Sequence, residues 1–301
     1  MSILAIIAAL LLEQWRPLGD RKAYFAVLSR GAAWLEHNFN AGEERHGVIA
    51  WTLAVMLPVL GAGIAYWLLW MANPLLAALF NVAALYLTLG FRQFSHYFTG
   101  IQAAVRVGDI DQARDLIGAW RGEPASHRSR EEVLRLAVEE ALTASHRHVF
   151  GVLFWFMLLP GPSGAILYRL ALFLRRRWGG LGPFGRLAER ACFVLEWPAV
   201  RVSAVAFAVV GDFEDAVYCW RTQARAWPDP NAGIILAAGA GALGVRLGMP
   251  LASIGELEVR PELGVGEPVD APVLVSTVGL LWRALVLWVF VLLLLGVARV
   301  F

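Results

Sequence analysis

An all-α integral membrane protein is the fold class that this sequence predicts, and three observations predict it. Apolar residues make up 58% of the 301, charged residues only 17%, and several stretches of membrane-spanning length carry no charge or only one. A water-soluble domain is about 45–50% apolar and about 25% charged, so the chain carries more oily surface than a soluble core hides. A mean hydropathy of +0.59 points the same way. The composition excludes intrinsic disorder, argues against a soluble enzyme, and makes the lipid bilayer the expected partner.

The elements follow in order. Met1 to Leu12 is apolar apart from Ser2. It has neither a basic flank nor a small-residue cleavage site, so it reads as something other than a secretory signal. Twelve residues give about 18 Å of helix against a hydrocarbon core of about 30 Å. This segment therefore spans only if it continues and tilts, and otherwise lies in the interface. Val48 to Ala72 is charge-free, with Trp51, Trp67 and Trp70 near its ends, where interfacial aromatics belong. Asn73-Pro74 signals a turn, and Pro74 to Phe91 is again charge-free, so the two runs predict an antiparallel hairpin of spans. From Arg92 to Arg147 charges return. Ile101, Val105, Ile110, Ala113, Leu116, Ile117 and Trp120 recur at helical spacing, which predicts amphipathic helices outside the bilayer.

Val149 to Leu174 is apolar apart from Arg169, but Pro160-Gly161-Pro162-Ser163-Gly164 divides it into halves too short to cross alone. Glu13 to Gly47 holds five Lys/Arg and Arg92 to Arg147 holds eight. The hairpin puts both loops on one side, which the positive-inside rule makes cytoplasmic. A re-entrant fold of Val149–Leu174 then returns Arg175-Arg176-Arg177 to that side. Ala191 to Gly211, carrying Glu196, Pro198 and Arg201, reads as a helix against the membrane face or buried beside the others, with a Glu196–Arg201 partnership as one reading of its charges. Ile234 to Leu243 is a small-residue helix suited to close packing. Met249 to Pro272 reads as an exposed loop, and Val273 to Ala298 as the closing span. About four membrane-inserted segments result, in a single domain over 1–301 whose portions 92–148 and 178–272 are largely cytoplasmic. The expected setting is a bacterial-type inner membrane, crossed several times.

Few chemical motifs stand out. Net charge is +2, no basic run has aromatics interleaved, and no nucleic-acid partner is expected. Cys192 and Cys219 have neither metal-ligand nor disulfide spacing and read as free, packed thiols. Gly239-Ala-Gly241-Ala-Leu-Gly244 matches a dinucleotide fingerprint, but it continues a helix instead of following a strand, so helix packing is the favoured reading. His146 and His148 point to different helix faces, and no metal site is assigned. Asp229-Pro-Asn231-Ala-Gly233 opens the small-residue helix. Asn231 is the expected N-cap, and the helix start with Arg246 nearby is the candidate anion site.

Two motifs carry a resemblance: Pro228-Asp-Pro-Asn-Ala-Gly233 and Ala240-Gly-Ala-Leu-Gly-Val-Arg-Leu-Gly248. They resemble the CobD/CbiB family of cobalamin-biosynthesis membrane proteins. The likeness extends to Gly108-Asp-Ile-Asp-Gln-Ala-Arg114, Val152-Leu-Phe-Trp155 and Gly161-Pro-Ser-Gly-Ala-Ile-Leu-Tyr-Arg169. It implies an ATP-dependent amide ligation joining adenosylcobyric acid to aminopropanol or its phosphate, with Mg²⁺ if the chain is catalytic and a corrinoid or other anionic small molecule as ligand. On that reading Glu139 is the catalytic carboxylate, and Asp229, Asn231, Gly233 and Arg246 bind the anionic substrate. The sequence departs from the family at Thr143, Ala144 and Arg147, which stand at acidic or Asn positions. Leu-Leu-Glu13 and Val194-Leu-Glu-Trp-Pro-Ala-Val-Arg201 are similar to the AmpE branch, which implies a non-catalytic membrane sensor linked to β-lactamase regulation as the alternative.

Overall fold

Helices dominate the computed structural model, which describes residues 2–15, 22–252 and 257–298. In chain order they are α1 (Ser2–Trp15), α2 (Lys22–Phe39), α3 (Glu44–Ala72), α4 (Pro74–Thr88), α5 (Phe91–Val107), α6 (Ile110–Arg121), α7 (Arg130–Ser145), α8 (Gly151–Leu158), α9 (Ser163–Trp178), α10 (Arg186–Val210), α11 (Phe213–Thr222), α12 (Pro230–Leu243) and α13 (Ala271–Ala298). The chain divides into two compact units, each made of two separated stretches: Met1–Leu89 with Gly151–Ala199, and Gly90–Phe150 with Val200–Phe301.

In the first unit one face of α3 (Ala50, Trp51, Val55, Val59) packs on Leu170, Ala171, Leu174 and Trp178 of α9. Its opposite face leaves Leu57, Leu60, Ile64, Leu68 and Met71 exposed, more contiguous apolar surface than a water-facing helix carries. Asn73 turns the chain into α4: its side chain accepts from the Leu75 N–H at 2.8 Å, with Pro74 in the first helical position. The Pro160–Gly164 break works as its sequence suggests. A Cβ at Gly164 would lie 1.8 Å from the Trp155 carbonyl oxygen, and one at Gly151 2.4 Å from the Tyr168 ring. Four residues back along α8 thus meet four residues forward along α9, so the two pack as an antiparallel helical hairpin.

Three helical stretches are long and apolar enough to cross a bilayer: Glu44–Ala72, Gly182–Val210 and Ala271–Gly296. Two expectations change here. Pro74–Phe91 forms only the 15-residue α4, about 22 Å long, because Gly90 adopts a non-helical backbone and breaks the run. Ala191–Gly211, expected as an accessory helix, belongs to one of the long stretches. Its interrupting charge is answered locally, with Glu196 accepting from Arg175 at 2.8 Å while only 2% of its side chain is exposed.

In the second unit α7 is buried on nearly every face and packs with α5, α6, α12, α13 and the first strand. A capping box starts it: the Glu132 N–H donates to the Ser129 hydroxyl, and Ser129 N–H to the Glu132 carboxylate. Helix α12 is equally enclosed. Gly239 abuts Leu142, and Gly241 abuts the Asp215 carbonyl, so the glycine fingerprint is a packing device, closed by Gly244 at φ +67 as the C-cap. The stretch expected to be an exposed loop contains short strands among its described residues. Strands β1 (Val245–Gly248), β2 (Leu251–Ala252), β3 (Leu257–Glu258), β4 (Glu262–Gly264) and β5 (Glu267–Pro268) form a β4-β1-β5 sheet and a β2-β3 pair. Backbone pairing with β1 brings Leu263 into the core, and Leu251 and Val269 are buried as well. Expected outcome: Gly164→Ala drives a methyl into the Trp155 carbonyl and lowers the unfolding temperature in detergent by about 10 °C or more. Gly61→Ala, with open space at its Cβ, leaves it unchanged or slightly raised.

Candidate functional site

Arg135 and Glu139 stand one helical turn apart on α7 and so share a face. Unlike most such pairs they are buried, at 7% and 4% exposure. A carboxylate removed from water needs donors for both oxygens. One oxygen of Glu139 accepts the Gly248 backbone N–H at 2.8 Å. The other is ion-paired with the Arg260 guanidinium, which lies 4.8 Å from the Trp227 ring centre. Arg135 holds the same chain segment at two further points: it donates to the Pro250 carbonyl at 3.3 Å and to the Met249 sulfur at 3.6 Å. Helix α7 thereby straps down the chain that leaves β1.

Gly248 is required at this point. Its φ is +74, and a Cβ would sit 2.0 Å from the Pro261 carbonyl oxygen and 3.2 Å from the Trp227 ring. The following residue, Met249, is also left-handed, at φ 62, a conformation uncommon outside glycine. Strand β1 therefore runs back toward the start of α12, with its last residue against Trp227, two positions before Asp229. Arg246, two residues earlier on β1, is partly exposed. Its guanidinium is 3.5 Å from Glu262, while its Nε is buried without an acceptor among the described residues.

The start of α12 corrects one expectation: the N-cap is Asp229, not Asn231. Asp229 has extended backbone and accepts from the N–H groups of Asn231 (3.0 Å) and Ala232 (3.4 Å). Pro230 fixes the first helical position, so Asn231 is already inside the helix. The second Asp229 oxygen lies 3.7 Å from Arg147. Asn231 is 2% exposed. Gly233 donates its N–H to the Asp229 carbonyl at 2.8 Å, and a Cβ there would lie 2.3 Å from the Ala224 carbonyl oxygen. Its absent side chain serves close packing, and the first-turn N–H groups are answered by Asp229. Of the residues singled out from sequence, Glu139 meets the chain two residues beyond Arg246, and Asp229, Asn231 and Gly233 form the neighbouring helix start. Arg135, Arg260 and Trp227 were not among them. Only the Arg135-x-x-x-Glu139 spacing was a signal, and that pattern commonly marks a solvated face.

Next along the chain, His146 is fully buried, with Nδ1 3.0 Å from the Ser203 hydroxyl oxygen. Burial, and then the Arg147 charge, pull its pKa down to about 3. Cys192 and Cys219 are free and buried. Burial, with Asp215 adding to it, pushes the Cys219 thiol up to about 11, so it rests as an unreactive thiol.

Comparison with known proteins places this geometry in a family. The family model described as CobD/Cbib protein matches residues 6–281. The chain is 38% identical over 304 residues to the "Cobalamin biosynthesis protein CobD" of Stutzerimonas stutzeri, covering 97% of this chain and 98% of that one. It is 36% identical to the protein of the same name from Chromobacterium violaceum over 71% and 70% of the two chains, and 32% identical to that of Mycobacterium tuberculosis over 52% and 53%. No solved structure gives a significant match. The chain belongs to the CobD/CbiB family.

Two measurements test the site's energetics. Arg260→Ala removes the ion-pair partner of the buried Glu139 carboxylate, and is expected to cost about 3–5 kcal/mol. The Glu139→Ala/Arg260→Ala double variant should cost less than the two single variants summed, as read by denaturant unfolding. The second test is pH. The folded state keeps His146 neutral, while the unfolded chain takes up a proton below about 6.5, so stability falls as pH drops from about 6.5 toward 3, at up to about 1.4 kcal/mol per unit. The melting temperature between pH 7 and 4.5 should drop less steeply in His146→Gln than in the unsubstituted chain.

Proposed function

We propose that this chain is a multi-pass inner-membrane protein of cobalamin biosynthesis that uses ATP to join the amine of aminopropanol, or of its phosphate, to a carboxyl group of adenosylcobyric acid. The observation that carries this reading is the end-to-end match to a relative named for that pathway, at 97% of one chain and 98% of the other. Support for the membrane setting comes from the three long apolar helices and their exposed Leu, Val and Trp side chains. On this reading residues 1–301 act as one membrane domain. The α8–α9 hairpin is the re-entrant element, and 92–148 with 178–272 face the cytoplasm. The AmpE-like alternative is the less supported, because the family match and the relatives reported above point to the corrinoid pathway.

Amide formation needs an activated carboxyl group and an amine that sheds a proton. Glu139 is the acid–base group we assign. Asp229, Asn231 and Gly233 shape the start of α12 beside it, and the partly exposed Arg246 supplies positive charge. A protein-ligated Mg²⁺ does not fit this site. Both Glu139 oxygens are engaged by Arg260 and Gly248. The Thr143 hydroxyl donates to the Glu139 carbonyl of its own helix at 2.9 Å, Ala144 offers no side-chain oxygen, and Arg147 brings the wrong charge. A hard cation needs several oxygen ligands, and no cluster of three or more His, Cys, Asp or Glu exists among the described residues. Magnesium then enters only as part of the nucleotide substrate.

The purified full-length chain, given cobyric acid, aminopropanol phosphate and Mg-ATP, should form the amide by mass spectrometry and consume ATP only when both partners are present. Glu139→Gln should lower kcat about 100-fold or more. Absence of the amide product with folded, unsubstituted protein overturns the reading.

A further inference from the structure

Among the described residues, the cluster around α7 holds two buried arginines for one buried carboxylate. Arg135 and Arg260 are 7% and 9% exposed, and they share one buried carboxylate, Glu139. The neighbouring Arg128 and Glu132, 3.9 Å apart, offset each other. Among the described residues, two buried guanidinium groups thus face one buried carboxylate. The hydrogen-bond count agrees. Arg135 Nε and Arg260 Nη1 are buried and have no acceptor among the described residues. Burying a guanidinium N–H without an acceptor is costly, and two such donors on adjacent guanidinium groups are a site for an anion.

The geometry narrows the anion. The two guanidinium groups come from different elements, Arg135 from α7 and Arg260 from the segment between β3 and β4, and Glu139 interacts with both. A planar carboxylate presents its acceptors in one plane. A phosphate presents three terminal oxygens in a tetrahedron and up to two negative charges, which suits donors that converge from two directions.

We propose that Arg135 and Arg260 form a receptor for a phosphate group, which takes the guanidinium N–H groups that no described residue occupies. Glu139 then competes with the ligand for the same cations, and an arriving phosphate loosens the ion pair that ties up its carboxylate. The identity of the molecule carrying the phosphate rests on the ligase reading above; the receptor itself does not. Arg246, partly exposed, is separate from this pair.

The competition fixes a sign that a purely structural cluster would not give. Orthophosphate and pyrophosphate are titrated calorimetrically into the full-length chain in a neutral detergent, with melting temperature as a parallel readout. The unsubstituted chain should bind both. Arg135→Gln, which leaves the Arg260 and Gly248 partners of Glu139 in place, should weaken binding about tenfold or more, an effect of the size of one charge-assisted hydrogen bond. Arg121→Gln, whose guanidinium pairs with Glu140, should leave binding unchanged. Glu139→Gln should bind phosphate more tightly than the unsubstituted chain, and its melting temperature should rise more on adding phosphate. Lack of phosphate binding by the folded, unsubstituted chain, binding that appears only when anionic lipid is added, or weaker binding in Glu139→Gln would each overturn the proposal. The ligase reading is judged separately by amide formation, in which Glu139→Gln acts in the opposite direction, lowering turnover.

Discussion

One buried carboxylate organises the second unit. Glu139 lies in a helix with almost no water contact, and moving an ionised carboxyl group there costs several kcal/mol unless cations and N–H groups surround it. The chain supplies both from far away in sequence, a backbone N–H at Gly248 and a guanidinium at Arg260. Several local oddities follow from that demand. Gly248 has to expose its N–H toward α7 while its other side touches the Pro261 carbonyl, which only a residue without a Cβ can do. Met249 is carried into a left-handed conformation. Trp227 forms the wall on which Arg260 rests. An ion pair of this kind adds little net stability, but it fixes which segment docks where, and here it fixes the return of the chain after β1.

Around this cluster the polar side chains are tied to neighbours: the Thr143 hydroxyl donates within its own helix, and Arg147, just beyond α7, lies 3.7 Å from Asp229. At the centre is a buried layer in which Arg135 and Arg260 lie about the Glu139 carboxylate. Such a layer stabilises negative charge through guanidinium groups held in a place of low dielectric, where each interaction counts for more than at a solvated surface.

Much of the helical plan was legible in the sequence. The charge-free run at 48–72 and the run at 273–298, broken only by Arg283, correspond to α3 and α13, the Pro160–Gly164 cluster to the tip of the α8–α9 hairpin, and the glycine fingerprint to packing inside α12. These features are local and depend on composition and spacing alone. Where the reading fell short, the deciding partner was distant. Arg201 was the partner considered for Glu196, whereas Arg175, which pairs with it, is 21 residues earlier. The strands between 245 and 268 are two to four residues long and exist through their pairing, so a stretch rich in proline and glycine looked like a loop. Asn231 looked like the helix cap because capping chemistry fits Asn and Asp equally, and only the backbone of Asp229 decides between them. Arg260 carried no signal, since nothing nearby in sequence indicates that it is buried beside Glu139.

The division of the chain carries a consequence for how the protein is made. The first unit takes residues from both sides of the stretch 90–150, which belongs to the second. Neither unit is therefore complete when a ribosome has synthesised its first contiguous portion. The early helices must wait through the whole of α5–α7 for α8–α10, and α7, with its ionised side chain, must wait more than a hundred residues for Arg260. Each unit closes only once a later stretch has been made, and a cut in the gene at 89/90, 150/151 or 199/200 parts the two stretches of at least one unit.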